Sequence, residues 1–196
     1  MSLRTLSLFL AVVVVHGLVA PRSALGEPIE LAVESSVVAP VMRGASLGGR
    51  LRFEGVPHLA LGAGVYALTV PQFMIDGSAN NEFEHWKVAV RPAVHLSADY
   101  FVRQNGTGFS AGITVGLARF VVSSDIVAGS TAFTSAYLLP RAAYTWFLAD
   151  HWYINGWIGL QLDGQVAGST QLGTRMFTPF GIMPQLNLNV GYVFAQ

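Results

Sequence analysis

Gln185-Leu186-Asn187-Leu188-Asn189-Val190-Gly191-Tyr192-Val193-Phe194 puts Leu186, Leu188, Val190, Tyr192 and Phe194 on one side of an extended chain. Gln185, Asn187, Asn189, Gly191 and Val193 fall on the other. A period of two is that of a β-strand, whose successive side chains point to opposite faces. Here one face is apolar and the other is mostly amide or glycine. Ten residues rising about 3.3 Å each and tilted by about 40° climb about 25 Å, the height of the apolar band of a membrane barrel. Strands of soluble proteins have a mode of about 5 to 6 residues, so the length of the pattern itself points to a sheet that crosses a bilayer.

Similar alternation recurs upstream. Divided at its turn signals, the chain predicts strands at 28–38, 45–54, 59–70, 85–103, 109–122, 135–148, 152–163 and 181–194. The connections at 55–58, 104–108 and 149–151 are tight, whereas 71–84, 123–134 and 164–180 are long and polar or glycine-rich; the outside loop at 40–44 is short. An up-and-down membrane barrel has an even strand count, short turns at its periplasmic end and longer loops outside. The expected fold is therefore all-β, an eight-stranded antiparallel up-and-down transmembrane β-barrel.

Composition agrees. Hydrophobic residues make up 52% of the chain and charged residues 11%, whereas soluble domains carry about 25% charge. The formal net charge is zero and no run of basic residues exists, which argues against nucleic-acid partners. Cysteine is absent, which removes disulfides and thiolate metal sites. At the N-terminus Arg4, the apolar run from Leu6 to Val15 and the small residues of Ala24-Leu25-Gly26 have the layout of a secretory signal. The expected division is a cleavable signal peptide over 1–26 and a barrel domain over 27–196.

Carrying the alternation through each strand separates two residue sets. The inward parity holds Glu30, Glu34, Arg50, Arg52, Glu54, Lys87, Arg91, Arg141 and Asp163, together with His95 and Gln161. A soluble barrel of lipocalin type has the reverse arrangement, so charges on the inward parity favour a membrane barrel. Eight strands enclose an interior that side chains can fill, and paired charges there predict a plugged lumen. The outward parity holds Phe53, Tyr100, Phe109, Trp146, Trp152, Tyr192 and Phe194 near the tight-turn end, and Trp86 near the long-loop end. Amphipathic rings at such positions predict an interfacial girdle. In the loops, Phe73, Met74 and Ile75 and then Met176, Phe177 and Phe180 predict exposed apolar patches.

On this strand count, loop alternation and closing strand, the stretch from Glu27 to Gln196 resembles the small eight-stranded outer-membrane β-barrel proteins typified by the OmpA transmembrane domain, OmpX and the OmpW-like proteins. The resemblance implies residence in the outer membrane of a Gram-negative bacterium, contact with outer-membrane lipid and lipopolysaccharide, and recognition by the barrel-assembly machinery. In that family the machinery reads a closing aromatic, and here Phe194 is followed by Ala195 and Gln196. Some such barrels deacylate lipid A with a His-x-Ser pair on the lipid face. His95-Leu96-Ser97 has that spacing, but its parity sends both groups into the lumen, Ala98 stands where the pattern expects Asn, and the next strand offers no Glu. No catalytic residue, cofactor or metal site is assigned; Asp76, Glu82 and Glu84 read as a solvated loop. The expected role is structural, adhesive or surface-interacting, with ligand contact through loops 71–84 and 164–180. The alternative is a narrow channel for small solutes.

Overall fold

A computed structural model describes residues 28–76 and 85–195. The signal-like segment, and Glu82 and Glu84 of the acidic loop, lie outside the described residues. The elements are β1 (Pro28–Ser36), α1 (Val38–Val41), β2 (Ala45–Phe53), β3 (Val56–Thr69), α2 (Gln72–Asp76), β4 (Trp86–Phe101), β5 (Gly108–Ser124), β6 (Ser130–Phe147), β7 (Trp152–Gly168), β8 (Gln171–Leu172), β9 (Arg175–Met176) and β10 (Ile182–Ala195). Eight of the strands close into one antiparallel ring in the order β1-β10-β7-β6-β5-β4-β3-β2, and β8 and β9 form a separate small hairpin. Every long strand pairs with its neighbours in sequence, and β1 closes the ring against β10. Closure satisfies each strand's backbone groups on both sides and leaves no edge, as a sheet surrounded by lipid requires.

The alternation read in the closing strand holds in three dimensions. On β5, Phe109, Ile113, Val115 and Leu117 are exposed while Ser110, Thr114, Ala118, Phe120 and Val122 are buried. On β10, Leu186, Leu188 and Phe194 are exposed whereas Asn189 and Val193 are buried. The exterior is thus an apolar wall and the core sits inside the ring.

Two differences from the sequence reading have local causes. The connection expected over 123–134 is a five-residue loop, 125–129, because β5 and β6 stay paired as far as Ser123 and Ser130. In β4 the alternation slips by one. Val90 pairs with Phe120 and Ala93 with Ala118, so Arg91 and Pro92 together stand opposite Arg119 alone, and opposite Ala67 alone on the other flank. This is a β-bulge, with two residues facing one. Proline lacks the N–H that a ladder needs and is accommodated in a strand at such a place.

Candidate functional site

The interior is built in three tiers. At the tight-turn end, Glu30 on β1 is completely buried and binds both arginines of β2. Arg50 donates from Nε and Nη2 to Oε1 at 3.1 and 2.9 Å, and Arg52 donates from Nε to Oε2 at 2.9 Å. Arg52 reaches on to the carbonyl oxygens of Pro57 and Gln104, tying two turns together beneath the ring. The Arg50 guanidinium lies over the rings of Tyr153 and Phe101, 4.5 and 5.3 Å from their centroids, so its unpaired face meets π-electrons.

In the middle tier Glu34 accepts hydrogen bonds from the Tyr153 hydroxyl at 2.9 Å and from Asn189 Nδ2 at 3.2 Å. Across from it Arg141 on β6 holds Asp99 on β4 in a bidentate pair. Between these groups lies a cavity of about 20 Å³ bordered by Glu34, Arg50, His95, Asp99 and Arg141, enough for a water molecule and too small for a solute.

The upper tier is mostly apolar, with Ser135, Gln161 and Asp163 set beside Tyr137 and Leu139. Trp86, Val88 and Val90 of β4 pack with Phe120 and Val122 of β5 and with Phe133 and Leu139 of β6. Loop residues close over them: Ile75 of α2, Leu172 of β8, Phe177 and Phe180. Trp86 and Phe177 meet edge to face, with centroids 5.9 Å apart, and Phe120 stacks on Phe133 at 5.0 Å, separations at which aromatic pairs attract.

The sequence-derived lumen set is therefore divided. Glu30, Glu34, Arg50, Arg52, Arg141 and Asp163 face the interior, where Asp163 accepts a hydrogen bond from Gln161 at 2.8 Å. Lys87 and Arg91 do not: the bulge turns both outward, and Lys87 pairs with Asp125 on the exterior at 2.5 Å. Glu54 is exposed, because β2 ends at Phe53 and Glu54 forms the turn into β3. Asp99 and Tyr153 complete the network and were missed, while Asn189, read onto the polar face of the closing strand, is buried there and joins the network through Glu34. Asp99 shares the parity of His95, so its place was readable; Tyr153 carried no charge to draw attention.

The aromatic set divides too. Tyr100, Phe109, Trp146, Trp152 and Phe194 are exposed at the tight-turn end, with Phe53 and Tyr192 half-buried beside them. Tyr144 joins them, 4.7 Å from Phe109 and 4.4 Å from Trp146, and Tyr192 bridges Trp152 and Phe194 at 5.1 and 5.2 Å. Trp86 is the exception. It is fully buried inside the barrel, since the bulge that sends Lys87 out brings Trp86 in. The apolar loop patches are likewise reduced: Phe73 and Met176 are exposed, but Ile75, Phe177 and Phe180 form the lid. His95 and Ser97 face inward, toward the bare backbones of Gly64 and Gly62.

No family model and no curated protein sequence matches the chain. Among solved structures it is similar to the N-terminal β-barrel domain of Pseudomonas aeruginosa OprF, with 16% identity and a TM-score of 0.44 over 86% of this chain and 100% of that one. It is also similar to Neisserial surface protein A (NspA), with 10% identity and a TM-score of 0.39 over 84% of this chain and 92% of the other.

Proposed function

We propose that the chain is exported to the outer membrane of a Gram-negative bacterium, and that it acts there as a closed, non-enzymatic barrel whose outer rim contacts surface ligands. The observation that carries this reading is the inside-out distribution of polarity. Leu96, Leu117, Ile158, Leu160, Leu186 and their neighbours are exposed on the wall while Glu30, Arg50, Arg52 and Asp99 are buried within it. An exposed apolar wall of this kind is unfavourable in water and is what a bilayer matches.

A surface role is favoured over conduction by what fills and surmounts the ring. The upper lumen is packed with aromatic and branched side chains under a lid of loop residues. From the aromatic belt at Phe109, Trp146 and Trp152, ten residues climb to Arg119, Ala136 and Leu162, about 25 Å, one apolar band. Beyond those points β5, β6 and β7 continue to Ser124, back to Ser130 and to Gly168, so the sheet stands above the bilayer as a paired platform. Exposed Phe73 and Met176 sit in the two loops, 71–84 and 164–180, that would meet a ligand. The experiment is cell fractionation combined with heat-modifiable gel migration. Mature protein in the outer membrane with a heat-sensitive mobility is expected; recovery as soluble periplasmic protein would refute the reading.

A further inference from the structure

Among the described residues the aromatic belt lies at the tight-turn rim, and the opposite boundary of the apolar wall is marked by arginine. Arg119 lies ten residues beyond Phe109 on β5, and Ile113, Val115 and Leu117 fill the outward positions between them. That interval spans about 25 Å, the full apolar band, and puts the guanidinium at the far headgroup level. The flanking Ala118 and Phe120 are buried, so Arg119 can only point outward. Arg91 stands beside it. The bulge that seats Arg91 and Pro92 opposite Arg119 delivers a second exposed guanidinium at the same height on the neighbouring strand.

Two like charges directly opposite on adjacent strands repel. Among the described residues neither arginine has a carboxylate partner; the only hydrogen bond from the Arg91 side chain goes to the carbonyl of Val90 at 3.3 Å. Lys87, two outward positions further along β4, is by contrast neutralised by Asp125. An anion shared by Arg91 and Arg119 would turn the repulsion into attraction, and planar guanidinium forks match phosphate oxygens bidentately.

We propose that Arg91 and Arg119 form a binding site on the outer wall for a phosphate of an outer-leaflet glycolipid of lipid A type, a phosphorylated disaccharide whose acyl chains lie along Val94, Leu96, Val115 and Leu117. This rests on the outer-membrane reading above and adds the ligand and its contacts. Acyl chains on the wall below hold the phosphate at the arginines, which gives the site a reason to prefer a lipid to a free anion.

The test uses the full mature chain. Insertion into vesicles and heat-modifiable migration are checked first, and lipid binding is then titrated by native mass spectrometry from micelles. The probes are bisphosphorylated lipid A, the same glycolipid with both phosphates removed, and inorganic phosphate. Wild-type protein is expected to hold bisphosphorylated lipid A about tenfold or more tighter than the dephosphorylated form, the size of effect that charged hydrogen bonds supply. Arg91→Gln/Arg119→Gln should lose that preference, whereas Arg103→Gln at the opposite rim should keep it. Should the double variant fold poorly, either single substitution must still weaken the preference. Equal binding of the two glycolipids by wild type, an unchanged preference in the folded variants, or displacement by inorganic phosphate at equal concentration would overturn the site while leaving the outer-membrane reading intact. Failure of wild type to insert into bilayers would overturn both.

Discussion

Arg141 on β6 grips Asp99 on β4 across the bare backbone of Gly112 on the strand between them, with Nε to Oδ1 at 3.0 Å and Nη2 to Oδ2 at 2.6 Å. The three residues stand in one register row, and a Cβ on Gly112 would collide with the Asp99 carboxylate. Glycine is thus required at this position by space, not by backbone angle. The pair staples three strands through the lumen.

Breaking it by one partner leaves a charge in a nearly closed interior. Asp99→Ala or Arg141→Ala should destabilise the barrel by about 3 to 5 kcal/mol, measured by denaturant unfolding in lipid vesicles. Gly112→Val should be similarly harmful, because it displaces the carboxylate without removing either charge. Replacing both partners with neutral residues of similar size should cost less than either single truncation.

The lipid-facing wall gives a depth series. Val115 lies six residues from Phe109, near mid-bilayer, and Val121 lies beyond Arg119. Val115→Arg should cost about 2 to 4 kcal/mol and Val121→Arg about 0 to 1 kcal/mol, read from the same unfolding curves. Equal costs would mean that the bilayer does not sit between the belt and the arginines.

The β4 bulge makes a less obvious prediction. Val90 and Ala93 both face inward, with Arg91 and Pro92 between them facing out. Deleting Pro92 therefore leaves a regular alternation with every other residue on its present face, and the variant should still assemble, seen as a heat-modifiable band. Deleting Val115 from the bulge-free ladder of β5 should abolish that band, since a slip of one residue exchanges the two faces of the strand.

The same bulge explains what the sequence could and could not reveal. Strand count, order and the faces of β5 and β6 follow from a period of two, as do those of β7 and β10 over most of their length, where the register shifts fall only near one end, at Val166 and at Phe194. In β4 the period held from Asp99 to Ala93, then shifted, so Lys87 and Arg91 were read into the lumen and Trp86 out of it. Pro92 in mid-strand was the available signal, but proline announces an irregularity without stating how many residues it absorbs. The lid was unreadable for another reason. Ile75 sits in a single helical turn and Phe177 and Phe180 in a loop, segments too short or irregular to show a period, and only packing against the cluster of Trp86 and Phe133 decides which way they turn.

Tryptophan fluorescence separates the two environments. Trp146 and Trp152 are half-exposed on the outer wall, whereas Trp86 is enclosed beneath Phe177. In single-tryptophan variants refolded into brominated-lipid vesicles, Trp146 and Trp152 should be strongly quenched and Trp86 weakly. Strong quenching of Trp86 would mean that β4 presents the other face to the lipid.

The closed interior itself is tested most directly by ion conductance of the folded protein in planar bilayers. Arg52 and the turn carbonyls close one end, a cavity of about 20 Å³ lies at mid-height, and the largely apolar tier with its loop lid fills the other end. Wild-type protein should show no steady open level above the bare bilayer, and Arg141→Ala should introduce at most brief, small openings. A large, steady conductance from wild-type protein would contradict the plugged lumen and make the barrel a channel.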